Sequence, residues 1–199
     1  AVEADLARLS RHSILRGVRR IVQFEDDLDF CLRPNFIEGV RALEPFGLSF
    51  DICIDHRHFP QVTAFAEQCP GVTMILDHIG KPAIRDGGFL PWAGQLRELA
   101  RLPHVHCKIS GVATEADHSS WDEADLNRYI DVAIDAFGFE RVLFGGDWPV
   151  ATQAICYRDW ISLLDRRLGG VRRADQERFW RGNARRIYRL GAEALQPEL

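Results

Sequence analysis

Short runs of apolar, often β-branched residues recur along this chain. Each is followed by a longer stretch in which apolar positions return every three or four residues. The runs are Gly17–Phe24, Leu48–Ile54, Val72–His78, Val105–Ser110 and Arg141–Trp148. Nearly continuous apolar character marks strands buried on both faces. The stretches with helical period are Asn35–Glu44, Pro60–Gln68, Leu90–Leu102 and Ala124–Phe137; two more, Tyr157–Leu168 and Asp175–Tyr188, follow the fifth run. Pro34 precedes the first of these helices and Gly138 closes the fourth, as start and stop signals. Strand starts fall roughly 25–35 residues apart, the size of a βα unit. The pattern predicts an α/β domain on a parallel sheet. The loops Pro82–Phe89 and Thr114–Asp122 follow strands, which places both at the C-terminal face of the sheet, where such folds carry their chemistry.

Composition narrows the class. At 199 residues, 46% hydrophobic and 27% charged, the chain is one domain, or one large piece of one, with an ordinary core. A net charge of −4 does not favour a nucleic-acid partner. No apolar run approaches the roughly 20 residues that span a bilayer, so no membrane partner is expected. The opening AVEADLARLS is neither a signal nor a transit peptide. Five widely spaced cysteines without a CxxC pair point to a reducing, cytoplasmic setting, with Cys53 and Cys107 as small buried hydrophobes.

The candidate chemistry gathers at strand ends. In Phe144-Gly145-Gly146-Asp147-Trp148-Pro149 a strand delivers a carboxylate beside an indole, and proline forces the chain out of the ladder. The plainer reading is a turn-capping aspartate. In Asp77-His78-Ile79-Gly80-Lys81-Pro82 a buried strand ends on a histidine able to act as ligand, electrophile or acid–base. Lys108 interrupts an apolar strand, and buried lysines are rare unless paired; Glu115 is the expected partner. Lys81 and Lys108 are the two lysines among 25 basic residues. His56 and His58 have chelating spacing but sit before a helix start, whereas His104 and His106 begin a strand and would serve stability. The arginines between Arg166 and Arg189 read as solvated helix faces, and Asn183 as the cap of a short final helix.

Taken in order, Gly17-Val18-Arg19 with Gln23, Leu76-Asp77-His78 with Gly80-Lys81-Pro82, Pro91-Trp92, Cys107-Lys108-Ile109-Ser110-Gly111, Glu115-Ala116, Gly145-Gly146-Asp147-Trp148-Pro149-Val150 and Gly182-Asn183-Ala184 with Tyr188 resemble the amidohydrolase-related proteins of the sugar-lactonase type. The resemblance implies a (β/α)8 TIM barrel of which residues 1–199 supply strands four to eight in one domain, without the first three βα units. It implies a hydrolase opening a small sugar-acid or dicarboxylate lactone. Asp147 would be the base, and His78 and Lys108 would polarise the carbonyl. Arg19, Gln23, Lys81 and Trp148 would contact the substrate. Where a member uses a metal, it would be one divalent ion such as zinc on His78 and Asp147; no organic cofactor is implied. Alternatives are a metal-dependent decarboxylase of the same superfamily, or an inactive fragment needing a complementing chain. One departure is Gly146, where serine is usual. Two open sheet edges predict self-association.

Overall fold

The computed structural model describes residues 2–191. Five parallel strands form one sheet in sequential order, β1 (Gly17–Ile21), β2 (Ser49–Cys53), β3 (Met74–Leu76), β4 (Val105–Ile109) and β5 (Val142–Phe144). The helices are α1 (Val2–Leu9), α2 (Pro34–Arg41), α3 (Phe59–Glu67), α4 (Phe89–Leu99), α5 (Glu123–Phe137), α6 (Tyr157–Leu168), α7 (Arg173–Glu177) and α8 (Asn183–Ile187). This is the predicted α/β architecture, five strands of a barrel-type sheet. Among the described residues β1 and β5 each pair on one side only. No helix is long and apolar enough to cross a membrane.

Alternation along each strand separates two faces. Phe50, Ile52, Met74, Leu76, Val105, Cys107, Ile109 and Val142 point into the main core with Val62 and Phe65 of α3, Trp92 and Leu96 of α4, and Ile130 of α5. The opposite face is mixed. A small cluster of Ile75, Leu143 and Ile187 lies there. Around it, register places Arg19 beside Asp51 and Lys108 beside Leu143. Charge on this face is what interrupts the otherwise apolar strands.

Several elements differ from the pattern's prediction. β3 and β5 are only three residues long. After Leu76 the backbone turns left-handed at His78, Ile79 and Lys81, with φ of 54°, 48° and 46°. After β5, two glycines and Asp147 at φ 49° carry the chain off the ladder. The predicted strands run on to His78 and Trp148, whereas the ladder stops at Leu76 and Phe144. The expected helix over 175–188 is divided into α7, a π-helical turn over Arg178–Gly182, and α8. Asn183 is not a cap: it is buried and its Nδ2 donates to the Phe139 and Val142 carbonyls, each at 2.7 Å, tying α8 to the entry of β5. Helix α1 was not legible; it is short and buries only Leu6.

Candidate active site

The C-terminal ends of all five strands contribute to one cluster. At its centre Asp77 is 0% exposed, directly after β3. One of its oxygens accepts from the Lys108 ammonium at 2.6 Å; the other lies 3.4 Å from Arg19 Nε and accepts no hydrogen bond among the described residues. Lys108 also donates to Asp51 Oδ2 at 2.9 Å. That same oxygen accepts from the Tyr188 hydroxyl at 2.7 Å. Burial alone would favour a neutral amine, but the two carboxylates outweigh it and push the Lys108 pKa up. Lys108 is therefore a fixed cation. Arg19 also reaches Cys53 Sγ at 3.5 Å, and the Cys53 thiol donates to Gln23 Oε1 at 3.4 Å. Burial raises the Cys53 pKa, so it stays a thiol.

Beside this network lies a second group. His78 Nδ1 is 2.7 Å from Ser110 Oγ, and its Nε2 is 3.5 Å from Asp147 Oδ1. Burial, reinforced by Lys81, Lys108 and Arg19, pushes the His78 pKa down to about 3, so the ring is neutral at ordinary pH. Burial raises the Asp147 pKa; Lys81 opposes this and Asp77 adds to it. Asp147 Oδ2 is buried without a hydrogen-bond partner among the described residues. The close approach depends on Gly111, at φ 61°. A Cβ there would stand 2.7 Å from Asp147 Oδ2 and 3.1 Å from His78 Nδ1.

Arg19, Gln23, His78, Lys81, Lys108 and Asp147 are thus brought to one end of the sheet. Trp148 stands apart, 71% exposed on the rim. Glu115 is not the partner of Lys108: it lies 3.3 Å from Lys81, while Lys108 is held by Asp51 and Asp77. Gly146 has a steric reason, since a Cβ there would meet the Tyr157 ring at 2.6 Å. His58 is buried against Asp55 at 3.1 Å, which occupies one nitrogen of the His56–His58 pair. His104 contacts the Ala66 carbonyl at 3.0 Å, away from this end. Sequence reasoning missed Asp51, Asp77, Ser110 and Tyr188 and took Cys53 for core. Asp77, Ser110 and Tyr188 all fall within the motifs of the resemblance, which was a usable signal, but the pairing of Tyr188 with Asp51, 137 positions away, had none in the sequence.

Three donors for a divalent metal lie together: Cys53, Asp77 and His78 each offer an atom within 4.8 Å of the others. Each is already engaged. The thiol keeps its proton and donates it to Gln23, Asp77 is shared by Lys108 and Arg19, and His78 stands between Ser110 and Asp147. Three cations, Arg19, Lys81 and Lys108, act on the same ring. A divalent ion held by these three would take the place of the Cys53 proton and compete with Lys108 and Arg19 for Asp77.

A family profile described as amidohydrolase matches residues 1–190. The chain is 37% identical over 194 residues to an L-fucono-1,5-lactonase of Burkholderia multivorans, covering 90% of this chain and 64% of that protein. It is 36% identical over 194 residues to an L-fucono-1,5-lactonase of Burkholderia ambifaria, covering 94% and 66%. It spans just under two thirds of the length of these relatives. A crystal structure of a Burkholderia multivorans amidohydrolase with bound zinc superposes with a TM-score of 0.89 at 36% identity, covering 96% of this chain and 72% of that one.

Proposed function

The chain belongs to the amidohydrolase family, and on that premise we propose that it carries the hydrolytic site of a lactonase acting on a small sugar-acid lactone. One observation carries the reading: the Asp147 carboxylate, whose Oδ2 is buried and unpartnered among the described residues, stands 3.5 Å from the neutral ring of His78. Burial makes Asp147 a stronger base than a solvated carboxylate. It takes a proton from water as the water oxygen bonds to the carbonyl carbon. His78 polarises the carbonyl oxygen, with Lys81, Lys108 and Arg19 supplying a positive field around the developing oxyanion. Collapse breaks the ring C–O bond, and the ring oxygen leaves with the proton returned from Asp147, giving the open hydroxy acid.

Lys108, shared by Asp51 and Asp77, holds those carboxylates in place and contributes its field rather than a dedicated contact. Arg19, Gln23 and Lys81 offer donors to ring hydroxyls, and the exposed Trp148 indole offers a stacking face at the rim. L-Fucono-1,5-lactone, named for two relatives above 35% identity, is the first substrate to test; the decarboxylases similar to this chain are 15–17% identical and share the fold alone. Proton release on ring opening measures turnover. Asp147→Asn is expected to lower kcat by about a thousandfold with the fold retained. Turnover within tenfold of wild type would exclude Asp147 as the base.

A further inference from the structure

The geometry points to Ser110 as the residue that decides which nitrogen of His78 carries the ring proton, holding it on Nε2 where it faces Asp147. The inference rests on the lactonase reading for its catalytic meaning, but not for its structural content.

A neutral imidazole has one N–H and one acceptor nitrogen, and which is which depends on the partner of each. Ser110 is fully buried at the end of β4. Its Oγ lies 2.7 Å from His78 Nδ1, its single side-chain hydrogen bond among the described residues. If Nδ1 carried the proton and donated to Oγ, the hydroxyl hydrogen would be buried with no acceptor in reach among the described residues. With Nδ1 as acceptor, the hydroxyl donates to it and is satisfied. An unmet buried donor is disfavoured by roughly tenfold or more in population. The proton then resides on Nε2, the nitrogen 3.5 Å from Asp147 Oδ1.

The other end of the ring agrees. Asp147 Oδ1 faces Nε2, and a lone pair there would oppose a carboxylate; an N–H does not. An Nε2–H also gives the site a neutral donor for a developing oxyanion, whereas the other tautomer would present a lone pair to it. A metal bound through Nε2 would need that lone pair, with Nδ1–H turned to a hydroxyl that has no other acceptor among the described residues. Ser110 thus biases His78 towards donating and away from ligation. It touches neither water nor lactone in this scheme: it is a positioning residue.

The test is nitrogen-15 NMR of the histidine-labelled full chain, in buffer containing a chelator, with His78→Gln used to assign the His78 signals. The wild type is expected to show an unprotonated, hydrogen-bonded Nδ1 and a protonated Nε2. Ser110→Ala removes one small polar group from a packed site and is checked for folding by its thermal melt. It is expected to shift the His78 signals towards a tautomer mixture and to lower kcat about tenfold with KM within twofold, the rate equivalent of one ordinary hydrogen bond. Ser110→Cys, a weak donor of similar size, is expected to fall between the two in tautomer population. A protonated Nδ1 in the wild type overturns the proposal, as does a Ser110→Ala protein whose His78 tautomer is unchanged. If the tautomer behaves as stated but no lactone is opened, the proposal stands and the lactonase reading fails.

Discussion

Replacing Lys108 with methionine separates a structural cation from a catalytic one. The change keeps most of the stem's volume and removes the ammonium. Asp77, 0% exposed, then loses its 2.6 Å partner, and Asp51 loses a 2.9 Å one. Removing one member of a buried ion pair costs about 3–5 kcal/mol, because the remaining charge has no compensation. Two features move this case to the lower end. Arg19 stays 3.4 Å from Asp77, and Tyr188 still donates to Asp51. The expected loss is therefore about 3 kcal/mol, a large share of the ~5–15 kcal/mol typical of a domain. Urea unfolding followed by circular dichroism measures it, with an unchanged m-value indicating that the same surface is exposed. Adding Asp77→Asn removes the stranded charge, so the double variant is expected to regain at least ~1 kcal/mol over Lys108→Met. A single variant within about 1 kcal/mol of wild type, or a double variant no more stable than the single, would refute the view that Lys108 is held there to neutralise carboxylates.

Four further outcomes follow from the same geometry. Burial, helped by Arg186, pushes the His106 pKa down to about 4 against an unfolded value near 6.5; the unfolded chain therefore binds the proton first, and stability is lost as pH falls from about 6.5 to about 4, by up to ~3 kcal/mol. His106→Leu should flatten that limb in pH-dependent melts, and an unchanged slope would contradict it. Turnover should decline on the acid side with a midpoint above the ordinary aspartate value, since burial raises Asp147; a pH–rate profile checks this. Tyr188→Phe deletes a hydroxyl that donates to a carboxylate at 2.7 Å and should cost about 2 kcal/mol in denaturant unfolding. The β1 edge exposes Val18, Ile21 and Phe24, so the 199-residue chain should self-associate in sedimentation velocity, and Ile21→Lys should reduce it; a concentration-independent monomer would count against edge pairing.

The sheet was legible because its signal is local. β2 and β4 each buried their alternate apolar residues where the runs predicted, and parallel pairing follows once helices separate the strands. Strand ends were read too long at His78 and Trp148, since side-chain character does not reveal a left-handed backbone. Asp147 and His78 stood out because each ends an apolar run. Asp51 did not, although it is as charged: within Leu48–Ile54 it looked like an ordinary alternation, and its partners Lys108 and Tyr188 lie 57 and 137 residues away. Glu115 was assigned to Lys108 by nearness in sequence, and space gave it to Lys81. Pair identity is a property of the folded ladder, which composition and period do not encode.

The bond between Tyr188 and Asp51 also orders events in time. Synthesis runs from the N-terminus, so Asp51 emerges long before Tyr188, and Lys108 between them. Until Tyr188 arrives, Asp51 lacks the hydroxyl that completes its pairing, and Ile75 and Leu143 lack the cover of Ile187. A nascent chain can lay down these five strands in sequence, yet the charged face between them is sealed only by a segment that follows all of them. The site is thus finished after the strands that bear it, and a chain stalled after β5 would present these five strands with the pairing of Asp51 still open to water.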